Sequence, residues 1–155
     1  MATDIFSARI YDGLVKEDDF LRVLNELVDW NTLCSELFGL GNNDKGEGGK
    51  PSFHPVVMFK MVFLSFLFNA SDRTTEELCT NNIRAKYFLG MSIHQASPDF
   101  TTLCRFRNSL ITSFGSDWLD KVFRELIMTA QQHGVVLGTI QALDATHSNA
   151  PRSDA

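Results

Sequence analysis

From Pro55 to Phe68 the chain reads Pro-Val-Val-Met-Phe-Lys-Met-Val-Phe-Leu-Ser-Phe-Leu-Phe, a helix apolar on nearly every side. A helix of this kind is unstable on a protein's surface, so it belongs at the centre of a bundle and other helices must surround it. Pro55 suits its first turn, where the missing N–H costs nothing. Lys60 and Ser65 interrupt the run, which also falls short of the roughly 18 to 20 residues that a bilayer demands. A core helix is therefore expected, and no membrane span. Residues 1–10 mix Asp4 and Arg9 with small side chains and offer no signal-peptide core, so a cytoplasmic chain is expected.

The rest of the sequence supplies the surrounding helices. Residues 1–17 read as an acidic lead-in, and residues 18–134 as one helical domain. Asp18 or Asp19 can cap a helix in which Phe20, Val23, Leu24, Leu27, Val28, Asn31, Cys34 and Leu37 recur at helical spacing up to Gly39. Residues 39–52, rich in glycine and polar side chains, read as a flexible linker; they lack the Lys-Ser/Thr ending of a phosphate-binding loop. Ser71 is placed to cap a helix beginning at Asp72, and a shorter helix over Arg84–Leu89 stops at Gly90. Asp99 caps the clearest amphipathic helix, from Phe100. At about 100° per residue, Phe100, Leu103, Cys104, Leu110, Ile111 and Phe114 share one face, and Thr101, Arg105, Asn108 and Thr112 the opposite one. A last helix runs from Ser116 to His133, repeating Trp118, Val122, Leu126 and Ala130, with Gly134 ending it. From Val135 to Leu143 the β-branched content switches to that of a strand, delivering Asp144 at its end.

Charge and cysteine usage narrow the function. The net charge of −5 resides in residues 1–50, with five basic and ten acidic side chains; residues 51–135 carry eight against seven. A sequence pI near 5.3 argues against a strong nonspecific nucleic-acid binder but leaves room for a local basic face. Cys34, Cys79 and Cys104 are odd in number and lack CxxC spacing, so neither a disulfide framework nor a zinc ribbon is indicated. His54, His94, His133 and His147 are scattered. Of these, His147, three residues after Asp144, invites a metal reading against that of an ordinary surface histidine.

Two constellations remain. The short helices over residues 72–90 and the helix from Phe100 resemble a helix-turn-helix unit, with Thr101, Arg105, Asn108 and Thr112 as readers of a major groove: arginine donates to guanine and asparagine pairs with adenine. The competing reading is a solvated helix face. Arg107 falls in the middle of the apolar face instead, where a guanidinium needs a carboxylate, and Glu76 and Glu77 are the expected partners in a structural ion pair.

The runs His54-Pro55-Val56-Val57-Met58-Phe59-Lys60, Ser71-Asp72-Arg73-Thr74-Thr75-Glu76-Glu77-Leu78, Tyr87-Phe88-Leu89-Gly90, Ser97-Pro98-Asp99-Phe100-Thr101-Thr102-Leu103-Cys104-Arg105-Phe106-Arg107 and Leu143-Asp144-Ala145-Thr146 together resemble, in order and spacing, the N-terminal part of bacterial insertion-sequence transposases of the InsH-like group. The resemblance implies a helical DNA-binding domain followed by an RNase H-like α/β domain with a DDE triad. Asp144 matches the triad's first acid, on that domain's first strand. It further implies phosphodiester hydrolysis and strand transfer with two Mg²⁺ ions in a full-length enzyme, and the terminal inverted repeats of the element as DNA partner. Here the sequence stops before the second Asp and the Glu, Asp154 being too close to serve. The expected fold is thus mainly α, a helical bundle followed by residues 135–155 as the disordered start of a truncated catalytic domain: a fragment, a frameshifted or decayed frame, or half of a frameshift product. No cofactor and no independent catalysis are expected of this chain alone. The alternative is a regulatory protein that dimerises with full-length transposase and inhibits it; a homo-oligomer is the other partnership considered.

Overall fold

Nine consecutive residues, Val57–Ser65, are buried along one helix, and the rest of the fold is arranged around it. The structure, a computed structural model, describes residues 3–39 and 53–135. Its helices are α1 (Ile5–Leu14), α2 (Phe20–Leu27), α3 (Trp30–Leu33), a 3₁₀ turn (Ser35–Gly39), α4 (Pro55–Leu67), α5 (Asp72–Asn81), α6 (Ile83–Leu89), α7 (Phe100–Phe114) and α8 (Ser116–Gln132). There is no strand among the described residues. The linker from residue 40 to 52 and, apart from Val135, the strand expected over residues 135–143, with Asp144 and His147, lie outside them.

The central helix α4 packs against α5, α6 and α7, while α2 lies against α6 and α8. Phe63 of α4 carries the aromatic core, with its ring 5.9 Å from that of Phe88 and 5.3 Å from that of Phe123. Phe59 and Phe66 also meet Phe123, at 5.5 and 5.2 Å. Burial of each such ring contributes about 1.5–3 kcal/mol and each well-placed aromatic pair about 0.5–1.5 kcal/mol more. Among the described residues no single helix is long and apolar enough to cross a membrane; α4 and α5 reach the length and composition only as a pair bent by 112°.

Local chemistry sets most boundaries. Asp19, Ser71 and Asp99 cap α2, α5 and α7 through their side chains, and Gly90 ends α6 in the left-handed region at φ 73°, as the sequence leads one to expect. Of the α8 repeat, Leu126 and Ala130 are buried as expected, whereas Trp118 and Val122 are half-buried and their neighbours Leu119 and Phe123 fill the core instead.

Two expectations need correction. The apolar repeat from Phe20 to Leu37 is not one helix, because Val28 turns extended and Asp29 starts a new one, accepting from the Thr32 N–H at 3.2 Å and the Thr32 hydroxyl at 2.7 Å. That cap competes with continuation of α2. Residues 1–17 are likewise more than a lead-in. Asp4 caps α1, the Tyr11 hydroxyl donates to the Met91 carbonyl at 2.5 Å, and the Ile93 N–H donates to Ser7 Oγ at 3.0 Å. These bonds fasten α1 to the segment after α6, and Asp19 ties α2 to α6 by an ion pair with Arg84.

Candidate nucleic-acid interface

The start of α7 is doubly held. Asp99 Oδ1 accepts from the Thr102 N–H at 2.7 Å, and Glu76 Oε2, reaching over from α5, accepts from the Phe100 N–H at 3.0 Å. The guanidinium of Arg73 lies 4.2 Å from the centre of the Phe100 ring. Two carboxylates and a cation–π contact thus fix this end of the helix.

Leu103 and Leu110 are buried against the core, and Thr101, Arg105, Asn108 and Thr112 are all exposed on the opposite side. Phe100, Cys104 and Phe114 of the apolar face are half-buried, but Ile111 is 39% exposed. It borders a groove of about 500 Å³ that also includes Phe66, Asp72, Arg107 and Leu119. Among the described residues no ion pair engages Arg105. Asn108 Nδ2 rests 3.7 Å from Cys104 Sγ, a weak contact. The outer face thus presents a guanidinium, an amide and two hydroxyls to solvent.

Arg107 turns the other way. Its Nη1 lies 2.5 Å from Asp72 Oδ1 and its Nη2 donates to Ser65 Oγ at 3.1 Å, so neither Glu76 nor Glu77 is its partner. Glu76 is spent on the start of α7, and Glu77 is exposed. Asp72, one turn earlier on α5, occupies the side of the helix that faces Ser65 and Arg107. The pair is about three-quarters buried on both sides, and its removal would leave a half-buried charge.

Lys60, in sequence only a break in an apolar run, has a role that its spacing does not reveal. It is 6% exposed in mid-α4, donating to Asn25 Oδ1 and to the Phe88 carbonyl, each at 2.8 Å. Its ammonium lies 4.9 Å from the Trp30 ring centre and 5.1 Å from that of Phe88. Burial pushes it down from 10.5 to about 8. A charge in the middle of an all-round apolar helix is the signal that marked it. Burial also pushes the Cys34 and Cys79 thiols up to about 12, which leaves both protonated and unreactive. Among the described residues no cluster of three His, Cys, Asp or Glu could hold a metal ion.

Residues 9–109 match the family described as Transposase domain (DUF772), a stretch that runs from α1 into α7 and takes in Thr101, Arg105 and Asn108. No curated protein and no solved structure matches the chain.

Proposed function

The chain belongs to the transposase-domain family DUF772, and from that premise we propose that its helical body is the DNA-binding portion of an insertion-sequence transposase, recognising the element's terminal inverted repeats through the outer face of α7. The observation that carries this is the exposed set Thr101, Arg105, Asn108 and Thr112 on a helix whose start is fixed by Asp99 and Glu76. Arg105 and Asn108 offer the donor patterns that suit guanine and adenine edges, while the threonines suit phosphates or a thymine methyl. The helix-turn-helix likeness would then reside in α5, α6 and α7, with α7 as the reading helix, although the connection of residues 90–99 is longer than the usual three- or four-residue turn.

In this proposal the InsH-like DDE chemistry belongs to an RNase H-like domain to which Asp144 would contribute one carboxylate. Mg²⁺ would need further oxygen ligands, and the described residues form no such cluster. The test is a titration of fluorescent inverted-repeat duplex and a scrambled duplex of equal length, with salt varied. Preference for the repeat of at least tenfold supports the reading; equal weak binding to both rejects it.

One observation favours a second reading, a regulator that pairs with full-length transposase and inhibits it. Ile5, Phe6 and Leu14 of α1 are 79%, 69% and 63% exposed, an apolar surface that DNA binding does not use. Co-purification with full-length transposase that is lost in Phe6→Ser would support it.

A further inference from the structure

A cavity of about 430 Å³ opens where α1, α2, α3, α4 and α6 converge, and Lys60 lines it together with Tyr11, Asn25, Trp30, His54 and Tyr87. We propose that this cavity binds a small organic anion carrying a flat ring, with its carboxylate or phosphate on the Lys60 ammonium and its ring against the aromatic wall.

Lys60 is nearly fully buried, yet its two hydrogen-bond acceptors are a neutral amide and a carbonyl, and no carboxylate pairs with it among the described residues. An ammonium has three donors, and here two are used. A buried charge without a counter-ion destabilises the fold, and an anion bound beside it would offset that.

The neighbouring groups have the same bias. Asn25 has given its Oδ1 to Lys60, so what it can offer a ligand is its NH₂. His54 Nδ1 accepts from the Val56 N–H at 3.2 Å, which in the neutral ring puts the proton on Nε2 as a donor. The cavity thus has an ammonium, an amide NH₂ and an imidazole N–H beside the rings of Tyr11, Trp30 and Tyr87. The exception is Asp12 at the rim, 75% exposed and 3.7 Å from Arg22. Pockets of roughly 300–1,000 Å³ with apolar walls and a few placed polar groups are those that hold small molecules. Catalysis and DNA contact by α7 use none of these residues, so the inference stands apart from the DNA reading.

The test uses the full chain labelled with ¹⁵N and follows the indole N–H signals of its two tryptophans. Trp30 lines the cavity, and Trp118, stacked on Phe114 at 4.5 Å, serves as internal control. Benzoate and phenyl phosphate are expected to shift the Trp30 signal saturably while leaving Trp118 in place. Benzamide, the uncharged isostere of benzoate, is expected to bind at least tenfold more weakly. Asn25→Asp, nearly isosteric, places a carboxylate on Lys60 and should weaken both anions at least tenfold with the thermal unfolding midpoint retained; Lys60→Met should abolish their binding. Equal shifts with benzoate and benzamide, no saturable shift of Trp30, or undiminished affinity in Asn25→Asp would each overturn the proposal.

Discussion

Replacing Lys60 by Met should convert a pH-dependent fold into one that is less so. In the folded chain Lys60 titrates at about 8, against 10.5 for the free side chain. Below pH 8 both folded and unfolded chains hold the proton, and the full burial penalty weighs on the fold. Between pH 8 and 10.5 the folded chain has released a proton that the unfolded one still binds, so stability rises with pH. At about 1.4 kcal/mol per pH unit, the interval amounts to about 3 kcal/mol. Methionine removes that term but strands the Asn25 Oδ1 and the Phe88 carbonyl, at about 1–3 kcal/mol each when left unsatisfied. Together these losses come to about 2–6 kcal/mol, so at pH 7 Lys60→Met should lie within about 3 kcal/mol of the wild type. By pH 10 the wild type should have gained about 2–3 kcal/mol on the variant. Urea unfolding of both proteins at four pH values from 7 to 10 measures this. Tyr11, Cys34 and Cys79, which burial pushes up to about 12, oppose the trend in both proteins and largely cancel in the difference. Parallel stability curves for the two would refute a buried, depressed ammonium.

Three further outcomes are expected. In the native chain a thiol reagent should label Cys104 within minutes, and Cys34 and Cys79 only on unfolding, because the latter two are buried and Cys104 is half-buried; mass spectrometry of the labelled peptides checks this. Asp99→Ala should lower stability by about 1 kcal/mol through loss of the Thr102 cap, and fray the start of α7 as read by amide hydrogen exchange. Arg107→Ala should cost about 1–3 kcal/mol in urea unfolding, with Asp72 left half-buried and unpaired; an equal stability in the variant would show that the pair is held only by solvent-exposed contacts.

The elements most legible in the sequence were those specified locally. An all-round apolar run can be satisfied only by enclosure, so the place of α4 followed from its composition. The caps at Asp19, Ser71 and Asp99 and the stop at Gly90 each involve neighbours within a turn. What failed depended on distance. The apolar period runs on through Val28 and Asp29, so nothing in the repeat revealed that the Asp29 cap wins over helix continuation. Asp72, Glu76 and Glu77 lie on two adjacent turns of α5, and only the packing of α5 on α4 and α7 selects Asp72 for Arg107. α1 escaped notice because its buried stripe is Ser7 and Tyr11 while its apolar Ile5, Phe6 and Leu14 point outward, the reverse of the usual pattern. The Lys60 cavity needs four stretches of chain to converge and has no local signature beyond the lysine itself.

DNA recognition by the outer face of α7 is tested most directly by a binding titration of the double variant Arg105→Ala/Asn108→Ala. Each good bidentate base contact is worth about 1–3 kcal/mol of discrimination. The pair of substitutions should therefore remove at least tenfold of the preference for inverted-repeat over scrambled duplex, with the thermal unfolding midpoint and helical content unchanged. Undiminished preference in the double variant would contradict recognition by that face.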